Sequence, residues 1–71
     1  MKVLDKSKKY DLTHLNDEQL NSVLKYLQHN DINWYKFTIE NLRSKPFLCY
    51  DYYEWNQYLG SNATNAIELF N

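Results

Sequence analysis

Catalysis and metal binding need particular side chains at particular spacings, and in this chain of 71 residues the candidates are few: His14, His29, Cys49 and Asp51. A metal ion would need such groups clustered, yet the sequence holds no Cys-x-x-Cys, His-x-x-x-His or His-Glu-x-x-His spacing. Cys49 with His14 or His29 makes a formal nucleophile–base pair. A chain this short leaves little room for a base, an orienting group, an oxyanion hole and a substrate cleft together. The single glycine, Gly60, excludes the glycine-rich phosphate loops. The reading is no catalytic residue, no metal and no cofactor. Both histidines flank a helix as polar surface groups, and Cys49 is expected as a buried strand residue, as free cysteines often are.

The other chemistry a surface can do is recognition, and one stretch stands out for it. Tyr50-Asp51-Tyr52-Tyr53-Glu54-Trp55, continuing to Tyr58, carries more rings than one strand face can bury. With Tyr50, Tyr52 and Glu54 on one face, Tyr53 and Trp55 take the other, and a turn here exposes one or two of the rings. Tyr and Trp are enriched at binding hot spots, and Asp51 and Glu54 make the patch acidic. The candidate partner-binding residues are Asp51, Tyr52, Tyr53, Glu54 and Tyr58. Trp34 and Trp55, with Phe37, Phe47 and Tyr50, are expected in the core.

Composition bounds the rest. A hydrophobic fraction of 44% and an aromatic fraction of 17% suffice for one small core, and a net charge of −1 argues against intrinsic disorder. One cysteine permits no internal disulfide, whereas secreted domains of this size usually carry several. The N-terminus lacks an apolar signal region, and the longest uncharged apolar run, Phe47 to Tyr50, cannot span a bilayer. These features predict a cytoplasmic protein without membrane association, for which the sequon Asn62-Ala63-Thr64 is a chance match. Nine Asn, seven Lys and seven Tyr beside one Gly, one Pro and one Met fit AT-rich coding, as in low-GC bacteria and their phages.

The elements that must position these residues follow from local signals. Residues 1–10 read as a solvated basic N-terminal arm, with Lys2, Lys6, Lys8 and Lys9 against Asp5; the alternative is an arm pinned to the domain through Val3 and Leu4 as a short edge strand. Residues 11–71 read as a single globular domain in which eight acids face four bases. Asn16 and Gln19 form a capping-box pattern, and Leu15 and Leu20 have the spacing of a hydrophobic staple. Leu20, Val23, Leu24 and Leu27 make one apolar stripe, so a helix is expected over 17–29, with Asn30 in a left-handed position after it. Ring-rich and β-branched residues favour a strand over 32–38, then a turn through 41–45, with a second short helix as the competing reading. Strands are expected over 46–50 and 55–59 around a turn at 51–54, and a last strand over 66–70. The predicted fold class is α+β, one amphipathic helix on a three- or four-stranded, mostly antiparallel sheet.

Leu15-Asn16-Asp17-Glu18-Gln19-Leu20, Asn30-Asp31-Ile32-Asn33-Trp34, Phe47-Leu48-Cys49-Tyr50-Asp51 and Glu54-Trp55 together resemble small αββ-type accessory proteins of tailed bacteriophages, over roughly residues 12–70. The resemblance implies an early phage protein that binds and inhibits or modifies a host or defence factor in the bacterial cytoplasm. The expected function is therefore a small non-enzymatic protein-binding module acting by steric occlusion of a bacterial protein. The alternative is a small nucleic-acid-binding protein using the lysine arm and exposed aromatics, weakened because stacking rings ordinarily work beside a basic groove. A homodimer that buries its own rings is a third reading.

Overall fold

The first long element begins where local chemistry predicts. In a computed structural model describing residues 1–60 and 62–71, helix α1 spans Asp17–Asn30. The Asn16 side chain accepts from the Gln19 N–H at 2.8 Å, and the Gln19 side chain accepts from the Asn16 N–H at 3.0 Å. This reciprocal pair satisfies two backbone donors that a bare helix start leaves unpaired. Leu20, Val23 and Leu27 are buried and Leu24 is half-buried, so the apolar stripe faces the core. The helix does not end on a left-handed Asn30. Asn30 is helical, its side-chain amide donating to the Tyr26 carbonyl, and the chain leaves through extended Asp31, whose N–H donates to the Leu27 carbonyl at 2.9 Å.

The sheet has four strands: β1 (Tyr10–Asp11), β2 (Phe47–Asp51), β3 (Glu54–Tyr58) and β4 (Thr64–Asn65), in the order β3-β2-β1-β4. β2 pairs antiparallel with both β3 and β1, while β1 pairs parallel with β4, so the α+β sheet is mixed. Residues directly opposite share a face. The register therefore puts Tyr10, Leu48, Tyr50, Trp55 and Gln57 on one side, and Asp11, Phe47, Cys49, Asn56 and Tyr58 on the other. The first side faces the core: Tyr10, Leu48 and Trp55 are buried against the helix stripe, with the Trp55 ring 6.0 Å from Tyr10 and 5.3 Å from Tyr50.

Several expected elements are corrected. Residues 32–38 are not a strand: a 3-10 turn at Trp34–Lys36 leads into a short helix, α2 (Ile39–Ser44), which also replaces the expected turn through 41–45. Thr38 starts α2 by accepting from the Asn41 N–H at 3.1 Å, and Leu42 is its buried anchor. A capping side chain and one apolar anchor outweighed β-type composition, which records packing opportunity more than backbone preference. The expected last strand is a 3-10 helix, Ala66–Phe70, started by the Asn65 side chain accepting from the Ile67 N–H. Leu4 is buried while Val3 is exposed, and no strand forms there. The first ten residues attach instead through Leu4, through Lys2 N–H donating to the Leu69 carbonyl at 2.7 Å, and through β1.

Candidate protein-contact surface at the hairpin tip

β2 and β3 are joined by two residues, Tyr52 and Tyr53, with Asp51 opposite Glu54. Both linking residues have positive φ, 51° and 64°, as a type I′ hairpin turn requires. That turn is the natural place for Asn-Gly, because a Cβ in left-handed backbone costs about 1–2 kcal/mol per residue. This chain places two tyrosines there, and both are almost fully exposed, at 86% and 88%. Neither core packing nor turn stability accounts for them.

Beside the tip lies the segment that follows α1. Asp31 is 8% exposed, and its carboxylate joins the two regions: one oxygen accepts from the Asn33 N–H at 2.8 Å and the other from the Trp55 N–H at 2.6 Å. Trp55 stands opposite Tyr50 on the outermost strand, where its N–H has no sheet neighbour, so Asp31 satisfies a donor that would otherwise be buried unpaired. Glu54 makes a second tie. Its carboxylate accepts from the Asn33 side-chain amide and pairs with Lys36 Nζ at 3.4 Å. These bonds hold the 32–36 turn against the base of the hairpin tip.

That turn carries more exposed apolar surface. Ile32, Trp34 and Tyr35 are all exposed, and the Trp34 and Tyr35 rings meet edge-on at 6.1 Å. Trp34 was expected in the core and is 52% exposed in the 3-10 turn, whereas Phe37, expected there too, is buried. Trp55, with the same expectation, is 2% exposed. Phe47 and Tyr50 are half-buried rather than core, and so is Cys49. The turn at 52–53 also sets Tyr50 and Trp55 on the same face rather than on opposite ones.

The five candidate contact residues fall into three environments. Tyr52 and Tyr53 form the exposed tip, and Asp51 beside them is exposed, with one oxygen accepting from the Tyr52 N–H at 2.9 Å. Glu54 is engaged in the ties to Asn33 and Lys36. Tyr58 stands at the far end of β3, its ring 5.7 Å from Phe47 on the outer face and under Lys9 Nζ. Its hydroxyl is buried with no partner among the described residues, and burial pushes the phenol above its ordinary pKa, with Cys49 and Asp11 adding to the shift. Tyr58 therefore lies apart from the tip, while the turn that carries Ile32, Trp34 and Tyr35 is tied to the base of the tip through Asn33 and Lys36. The sequence signal for those three was the ring-rich 32–38 stretch, which strand alternation would have hidden.

Elsewhere the surface offers shallow depressions of about 160, 270 and 240 Å³. Pockets that enclose small ligands are ordinarily about 300–1,000 Å³. None of the three is lined by residues of the hairpin tip. Among the described residues no three His, Cys, Asp or Glu side chains gather as a metal would need, and no helix is long and apolar enough to cross a membrane. His14 and His29 are both exposed, the latter bonded through Nδ1 to the Lys25 carbonyl. No protein-family model, curated protein or solved structure matches this chain.

Proposed function

We propose that this protein is a small non-enzymatic binding module that docks on a bacterial protein through the aromatic end formed by Tyr52, Tyr53, Ile32, Trp34 and Tyr35, and acts by occluding it. The observation that carries the reading is the Tyr52-Tyr53 turn: two fully presented rings occupy positions where the fold itself favours Asn and Gly. Backbone held in a sparsely populated region and retained without local benefit is a pointer to function. Scaled by their exposures, the four rings and Ile32 offer roughly 700 Å² at about 200 Å² per ring. One side of a standard protein interface buries about 800 Å². Such an area suits a macromolecular partner better than a small ligand. Phage origin and a host or defence target rest on the resemblance carried by Leu15–Leu20, Asn30–Trp34, Phe47–Asp51 and Glu54-Trp55.

The nucleic-acid alternative draws on the four lysines of residues 1–10, but three of these already have partners within the molecule. Lys8 pairs with Glu68 at 2.9 Å, Lys6 lies over the Tyr50 ring and Lys9 over Tyr58. Capture from a low-GC bacterial lysate, run in parallel with native chain and the Tyr52→Asn/Tyr53→Gly variant, tests the proposal. A host protein retained by the native chain and lost from the folded variant supports it. Equal retention by both overturns it, and a concentration-dependent doubling of mass in light scattering that the variant abolishes assigns the surface to self-association.

A further inference from the structure

Resting on that reading, we infer that the partner surface received by the aromatic end is cationic, a segment presenting arginine or lysine side chains to the tyrosine and tryptophan faces. Two half-buried rings of the hairpin already hold a cation: Tyr50 carries Lys6 Nζ at 4.8 Å from its centroid and Tyr58 carries Lys9 Nζ at 5.6 Å, while Lys36 Nζ lies 5.2 Å from the buried Phe37 ring. A cation within about 6 Å of a ring face is attracted by the ring quadrupole. Among the described residues no such ammonium or guanidinium covers Trp34, Tyr35, Tyr52 or Tyr53, although these are the most exposed aromatic rings in the molecule.

The charges around the tip point the same way. Asp51 is exposed and in no ion pair among the described residues; one of its oxygens accepts from the Tyr52 N–H, leaving the other open. The nearby acid, Glu54, is already matched by Lys36, so Lys36 does not supply the missing cation. Helix α1 also ends at this side of the molecule through the Asp31–Trp55 bond, bringing the negative end of its dipole. Lys6 and Lys9, the other ammonium groups over hairpin rings, are held at Tyr50 and Tyr58. Uncapped rings beside an open carboxylate oxygen complement guanidinium, which stacks on aromatic faces and donates to carboxylates in one geometry.

Three 12-residue Gly/Ser peptides provide the test, each with three spaced side chains: arginine, the neutral isostere citrulline, or glutamate. Binding to the full chain is read from amide chemical shifts and from tryptophan fluorescence. The arginine peptide is expected to shift residues 32–35 and 51–54, to bind at least ten-fold more tightly than the citrulline peptide, and to lose three- to ten-fold in affinity with Asp51→Asn. Glutamate should give no shifts. Equal affinity for arginine and citrulline, shifts centred elsewhere, or no binding by any peptide at millimolar concentration overturns the inference. Tighter binding of a single-stranded oligonucleotide than of the arginine peptide at the same residues also overturns it. If a host protein is captured through Tyr52 and Tyr53 but is indifferent to Asp51→Asn, the docking proposal survives and only the cationic partner fails.

Discussion

The hairpin has an inner half and a tip, built from the same residue types and put to opposite uses. In the inner half, Trp55 is enclosed between Tyr10 and Tyr50, and its backbone N–H is taken by the buried Asp31 carboxylate. At the tip, Tyr52 and Tyr53 touch almost nothing and sit in backbone that resists their Cβ atoms. The two tryptophans repeat the contrast, Trp55 within the core and Trp34 outside it. Aromatic content alone therefore says little about cohesion; which ring coheres depends on which side of the pleat or turn it falls.

The sharpest way to break this comparison is at the inner half. Trp55→Ala should cost about 3–5 kcal/mol, read by urea denaturation, because it empties the centre of the ring cluster. A loss below about 1 kcal/mol would mean the cluster is not cohesive. Asp31→Ala should cost about 2–3 kcal/mol by stranding the Trp55 and Asn33 N–H groups. It should also loosen the aromatic end, seen as faster amide exchange at 32–36 and 54–55.

At the far end of β3, Tyr58→Phe should raise stability by about 1 kcal/mol, because it removes a buried hydroxyl that lacks a partner. The pH dependence has a defined sign. Burial raises the folded-state pKa of Tyr58, so its contribution is fully present below the unfolded phenol value near 10. That contribution is lost as pH rises through the folded value. The native protein should consequently lose more stability above about pH 10 than the Phe variant, as measured by thermal unfolding across the alkaline range. The smallest effect belongs to Trp34→Ala, which should change stability by no more than about 0.5 kcal/mol. A cost approaching that of Trp55→Ala would erase the distinction between the two tryptophans.

What could be read from the sequence divides by range. Helix α1 was legible because its cap, staple and stripe are all local. The β2–β3 hairpin was legible from Pro46 and the apolar run after it. The α2 segment was misread because Thr38 signals a helix start in one residue, against several ring-bearing and branched residues that favour strand. Strands of two residues, such as Tyr10–Asp11 and Thr64–Asn65, are too short to show a period. Asp31 could not be found at all, since its partner Trp55 is 24 residues away. The excess of rings over 50–58 was legible as more than one strand face can bury, and Tyr52 and Tyr53 are exposed, but Tyr58 was grouped with them although the strand carries it to the opposite end.

The tip tyrosines are held at the fold's expense, which the unfolding free energy of Tyr52→Asn/Tyr53→Gly against the native chain tests directly. The variant should be more stable by about 1–2 kcal/mol, with an unchanged urea slope, because Asn and Gly accept the positive φ that tyrosine resists. A variant less stable than the native chain would contradict it, showing that the two exposed rings support the fold.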